Sequence, residues 1–245
     1  MDEQRIKKPK VYFKKDVTVE SVVELYDAVG RKFDGKTFSL VDSAVDHFVV
    51  ADKFVGFIGS TRYAGDRFDE TLVEVGFYGH LQGECLISKN LCYFDSFVVL
   101  SRFKRSEGEF GGAIDALGLR MASERGRRWI RSAGFTKDED VMFSHVENDF
   151  RYCESKAEAC KGVLNQFGRA NFVYINIVCA GSDPVGIVAG VDPVAVDKAS
   201  LDITIKIEKD FKYLTDCDDT EEIQHTLNYA EKIGIGELDY NLIEI

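Results

Sequence analysis

Proline and tryptophan are scarce in this 245-residue chain, which has three of the first and one of the second. So little proline, with 21 glycines in no repeating period, excludes collagen-like and proline-linker architectures. Positive charge is in deficit. There are 31 Lys and Arg against 42 Asp and Glu, for a net charge of -11. General nucleic-acid binding needs the opposite balance, and so does adsorption to an anionic membrane. No long apolar run exists. Phe54–Ile58, Phe97–Leu100 and Phe172–Ala180 fall well short of the roughly 20 residues that a spanning helix requires. Met1–Lys10 is charged and has no apolar stretch behind it, so no secretory signal is expected. None of the six cysteines, at 85, 92, 153, 160, 179 and 217, pairs in CxxC spacing. Free thiols in a cytoplasmic protein are the expectation. The histidines, His47, His80, His145 and His225, show neither HxH nor HxxxH spacing, and no GxSxG, P-loop or full GxGxxG occurs.

What is present is alternation of strands and helices. Val11–Phe13 reads as an edge strand. Thr18 caps a helix over Val19–Val29 that Gly30 closes. Thr37–Val41 and Phe54–Gly59 read as strands, and Phe68–Phe77 has helical spacing. Cys85–Ile87 and Leu91–Tyr93 suggest a hairpin. Ser96–Leu100 reads as a strand covered on both faces. Helices follow over Ala113–Met121 and Asp149–Phe167, then a strand over Phe172–Cys179 and a short one over Gly186–Ala189. Asp192 and Pro193 have the residue types of a helix start, and Thr220–Ile233 is the last helix before a strand at Leu242–Ile245. This order predicts an α/β protein with a mostly parallel sheet flanked by helices. It is read as one domain over residues 1–245, or two intimate lobes with a seam near residues 125–140.

The stretch Ser101–Gly112 differs from the rest. It is polar, basic and glycine-containing, and it lies between a strand and a helix. Ligands of open α/β sheets sit at the carboxyl ends of strands. Arg102, Lys104 and Arg105 can meet a carboxylate or phosphate, and Gly111 and Gly112 permit close backbone approach. The competing explanation is a solvated charged loop paired with Glu107, Glu109 and Glu124. Asp192 and Asp197 raise an acid–base pair, but Asp192 has a capping role and Asp197 lies five positions on, off its face. Met121–Arg131, which mixes arginines with Trp129, can be read as a partner-binding patch, or Trp129 as the core anchor of a short helix.

Four segments carry a resemblance: Ser101–Lys104 with Phe110–Ile114, Tyr63–Arg67, Gly186–Asp202, and Tyr229–Gly236 through to Ile245. On these the chain resembles domain-of-unknown-function family 362, whose members are often labelled iron–sulfur cluster-binding proteins. The resemblance implies a ferredoxin-like insertion with two CxxCxxC clusters before the Phe172 strand. Here Arg127–Ala170 holds only Cys153 and Cys160. A [4Fe–4S] centre needs four thiolates, so the chain is read as a member without that module. The family loop usually has histidines where this chain has Arg102 and Ser106.

The resulting expectation is a protein that takes a small anionic metabolite, without a cofactor or bound metal. The ligand-binding candidates are Tyr63, Arg67, Ser101, Arg102, Lys104, Gly111, Gly112 and Asp192, with the Asp192 loop as the opposite wall. No catalytic residue is assigned, and enzymatic activity is left open. Two rivals stand beside this reading: a non-catalytic interaction protein that keeps the family fold, and a metal-dependent enzyme whose ligands are scattered in sequence. A homo-oligomer also remains open.

Overall fold

The computed structural model describes residues 8–41, 53–55, 61–62, 69–106, 109–138, 150–211 and 220–245. The protein is α/β. Strands β1 (Lys10–Lys14), β2 (Thr37–Val41), β3 (Thr61–Arg62), β6 (Ser96–Phe103), β9 (Phe172–Ala180), β10 (Asp183–Gly190) and β11 (Asn241–Glu244) form a seven-stranded sheet in the order β11-β1-β10-β9-β6-β2-β3. Only β10 runs against the others; it pairs antiparallel with both β1 and β9. Strands β4 (Glu70–Glu74) and β5 (Glu84–Ser88) make a separate antiparallel hairpin. A smaller one joins β7 (Arg105–Ser106) to β8 (Glu109–Phe110).

The sheet is covered on both faces, and strand alternation divides its side chains. Val98, Leu100, Val173, Ile175 and Ile177 pack with Val22 and Leu25 of helix α1 (Val19–Val29) and with Phe54. Phe97, Val99, Phe172, Tyr174 and Val178 belong to the larger core on the other face. That core draws on helices α4 (Phe150–Phe167), α5 (Pro193–Phe211) and α6 (Thr220–Lys232). Two-sided burial explains why β6 and β9 are apolar without interruption over Phe97–Leu100 and Phe172–Ile175.

Local signals placed several elements correctly. The Thr18 hydroxyl accepts from the Ser21 amide, and Gly30 sits left-handed at φ 71°, so α1 begins and ends where its caps predict. Elsewhere tertiary context won. The described part of Phe68–Phe77, residues 69–77, is not helical: it holds β4, which alternates outward Leu72 with buried Val73. Phe54 and Val55 are helical rather than extended, and the remainder of Phe54–Gly59 lies outside the described residues. Cys85–Ile87 pairs with β4 instead of with Leu91–Tyr93, which belongs to a 3-10 helix over Lys89–Tyr93. β1 is interior to the sheet, because β11 pairs outside it. Part of the suspected seam is helix α3 (Glu124–Arg131), capped by Ser123 and packed so closely on β5 that a Cβ at Gly126 would lie 2.1 Å from the Leu86 carbonyl oxygen.

Phe97 is the aromatic centre of the larger core. Its ring lies 4.8 Å from Phe172 and 4.7 Å from Phe167. Phe97→Ala should cost about 3–5 kcal/mol in urea unfolding, the range for deleting a buried aromatic. Tyr93→Ser, at a side chain 67% exposed, should stay within about 0.5 kcal/mol of the parent. Similar losses in both would contradict this placement of the core.

Candidate functional site

The carboxyl ends of β2, β3, β6 and β9 lie along one rim, since these four strands are parallel neighbours. After β2 the chain moves to β3 on one side. After β6 it crosses to β9 on the other. The strand order therefore diverges between β2 and β6, the kind of switch point at which open α/β sheets bind ligands. Arg102, near the end of β6, is registered opposite Ile177, and Lys104 follows directly.

Alternation sends Arg102 to the α1 face of the sheet. There its Nε donates to Cys179 Sγ at 3.3 Å, and its Nη2 donates to the Ser182 carbonyl at 3.4 Å. Burial raises the Cys179 thiol pKa, while the Arg102 hydrogen bond and the positive charges of Arg102 and Lys104 pull it down. Both cations thus act on one point at the strand ends. Ser101 is buried on the opposite face, beside Asn176 in the register. Cys179, expected from the sequence only as a free thiol, belongs to this cluster. Its relation to Arg102 spans 77 positions and leaves no local signal.

The glycine turn is used differently from the expectation. A Cβ at Gly111 would lie 2.2 Å from the Arg102 carbonyl oxygen, and one at Gly112 would lie 2.6 Å from Asp197 Oδ1. The close approach these glycines permit is therefore to the protein itself. They stand at the entry to helix α2 (Ala113–Asp115), which continues as a π-helical turn over Ala116–Arg120. The amides of Ala113 and Ile114 donate to Asp197 Oδ1 and Oδ2 at 2.7 and 2.9 Å. Asn176 Nδ2 adds a third donor at 2.7 Å. A buried carboxylate already occupies the place where a bound anion was expected.

Asp192 is also relocated. β10 runs downward, so Gly190 at its end is level with Tyr174 and with Val99. Asp192 lies beyond that level, on the order of 10 Å below Arg102 at about 3.3 Å per residue. It cannot be the opposite wall. Its Oδ1 caps α5 through the Ala195 amide at 2.9 Å, and its Oδ2 accepts from the Glu237 amide at 3.1 Å. Burial raises the pKa of Asp192, opposed by these amides. It does not converge with Asp197, whose carboxylate is spent on α2. Tyr63, Arg67, His47, His145 and Cys217 lie outside the described residues.

Two further clusters escaped the sequence. His80 Nε2 and His225 Nε2 meet Glu154 from two elements, at 2.5 and 2.9 Å, with Phe150 stacked on the His225 ring. This is a hydrogen-bonded clamp. Among the described residues no group of three or more His, Cys, Asp or Glu is arranged to hold a metal ion. Lys156 is buried, with its ammonium 4.3 Å from the Phe110 ring centre and 3.7 Å from Asp115. No protein-family model, curated protein or solved structure matches the chain.

Burial dominates the Asp197 carboxyl and raises its pKa to about 6 from 3.8, against the lowering effect of Ile114, Ala113 and Asn176. The folded state therefore holds this proton more firmly than the unfolded chain does. The stability it contributes is full at acid pH and is lost as pH rises through about 6. Urea unfolding should show the wild-type advantage over Asp197→Asn shrinking between pH 4 and pH 7. An offset that does not change with pH would contradict this environment. Asp197→Ala should lose about 3 kcal/mol or more, because it strands buried donors at about 1–3 kcal/mol each.

Proposed function

We propose that this protein binds a small anionic molecule at the switch point between the carboxyl ends of β2 and β6, with Arg102 and Lys104 as its cationic contacts. The observation that carries the reading is the switch point. The strand order diverges there, and Arg102 and Lys104 lie at the carboxyl end of β6, with Arg102 turned toward β9, in a protein of net charge -11. An arginine and a lysine held together in a half-buried position attract carboxylate or phosphate more strongly than isolated surface charges do. Arg102 is oriented by Cys179 and Ser182, so its direction is fixed before a ligand arrives. Gly111, Gly112 and Asp192 are not part of this site. Their role is to hold the turn and the start of α5. Tyr63 and Arg67, which follow β3 in the sequence and lie outside the described residues, remain as proposed contacts.

The resemblance to domain-of-unknown-function family 362 enters this proposal as a lineage: a member without the ferredoxin-like module, with Arg102 and Ser106 where that family usually has histidines. The rival reading, an interaction protein that keeps the fold, draws on the same Asp197 geometry. The helix amides most suited to an anion are already satisfied by the chain's own carboxylate.

Thermal unfolding in the presence of phosphate, pyrophosphate and citrate tests the proposal. At least one of these anions should raise the melting temperature of the wild type by several degrees, as a ligand at about 100 times its Kd adds about 2.7 kcal/mol. Lys104→Ala and Arg102→Gln should each remove most of that gain. No response of the wild type to any of the three, or an equal response in both variants, would overturn the reading.

A further inference from the structure

A second surface lies apart from the carboxyl ends of β2 and β6. The β4–β5 hairpin carries a cleft of about 420 Å³ bordered by Leu72, Glu74, Tyr78, Gln82 and Glu84. Its exposed apolar walls are Leu72, 52% accessible, and Tyr78, 91% accessible. Glu74 and Glu84 are directly opposed in the register, so both carboxylates project from the same face. Like charges at opposed positions destabilise a hairpin. At the other end of the same strand Glu70 is neutralised, by Arg125 and by the Ser123 hydroxyl. Among the described residues no cation is paired with Glu74 or Glu84.

The cleft is not a loose loop. The Val75 amide donates to the Gly83 carbonyl at 2.7 Å, and Asn165 Nδ2 donates to the Val75 carbonyl at 2.8 Å. The buried carboxylate of Glu158 accepts from the His80 and Leu81 amides at 3.0 and 2.9 Å. The same carboxylate leaves no room at Gly79, where a Cβ would lie 2.1 Å from it. Such ties preorganise the exposed residues, which lowers the entropic cost of receiving a partner.

We infer that the outer face of this hairpin is a docking surface for a partner protein that presents an arginine or lysine beside an apolar side chain. The cationic head sits between Glu74 and Glu84 and relieves their repulsion. The Tyr78 ring takes the cation or its methylene stem, and Leu72 takes the apolar neighbour. The two carboxylates repel nucleic acid and anionic lipid, which leaves a basic-apolar protein segment as the complementary occupant.

The probe is a capped Arg-Leu-Arg-Leu peptide titrated into the isotope-labelled full chain, followed by amide chemical shifts. The shifts should concentrate at residues 72–78 and 82–84. In Glu74→Gln/Glu84→Gln the affinity should fall about tenfold, the size expected for losing a charge pair, and Tyr78→Ala should weaken it too. Asp16→Asn/Asp27→Asn removes the same charge from exposed positions elsewhere and should leave the affinity unchanged. Shifts spread over the whole acidic surface, or equal losses in the two double variants, would overturn the inference. So would calcium chloride moving the same amides while the peptide does not, because the cleft would then be a simple cation site. None of these results depends on whether anions bind at Arg102.

Discussion

One buried carboxylate holds three parts of this molecule together. Asp197, on α5, takes the first two amides of α2 and the side-chain amide of Asn176 on β9. The turn after β6, the central strand and the covering helix are thereby fixed to one another. The arrangement needs glycine at position 112, because a side chain there would collide with the carboxylate. It also needs a carboxylate of this length, since both oxygens are used. Burial makes the charge expensive, and the three donors offset that cost. An anchor of this kind is worth less for the energy it adds than for the energy lost when a partner is removed.

The same anchor bears on the proposed anion site. Amides at a helix start favour anions in general. Here they are closed to an external anion, because the protein supplies its own. What is left at the carboxyl rim is the pair Arg102 and Lys104, acting on Cys179 at the point where the strand order diverges. The molecule then presents two faces of opposite character. The end of β6 carries Arg102 and Lys104, and the outer side of the β4–β5 hairpin keeps two opposed glutamates beside exposed Leu72 and Tyr78.

The features legible in the sequence were those whose causes are local. The caps Thr18 and Gly30, the Asp192-Pro193 start of α5 and the doubly covered strands β6 and β9 all act within a few residues. β4 was mistaken because Phe68, Leu72 and Val75, spaced four and three apart, can also be placed on one helical stripe. The structure instead buries Val73 against α4 through a hairpin, where period two decides. The Asp197 contacts reach across 83 and 84 positions, and those of Glu154 across 71 and 74, so no window of sequence contains them. Asp192 was assigned to the wrong end of the sheet because in a mostly parallel sheet the strand before it was taken to run with its neighbours. β10 follows β9 through a tight turn and runs back. The position of Arg102 and Lys104 at the end of β6 was legible because a basic run follows an apolar strand in the sequence. Their shared target, Cys179, was not.

The most direct measurement of this account is an amide chemical-shift map of the isotope-labelled protein titrated with phosphate. The account predicts movement at Val41 and at Arg102–Lys104, with Ala113 and Ile114 unmoved because Asp197 already occupies them. Movement at Ala113 and Ile114 without any at Arg102 and Lys104 would contradict it, and would return the ligand to the helix start.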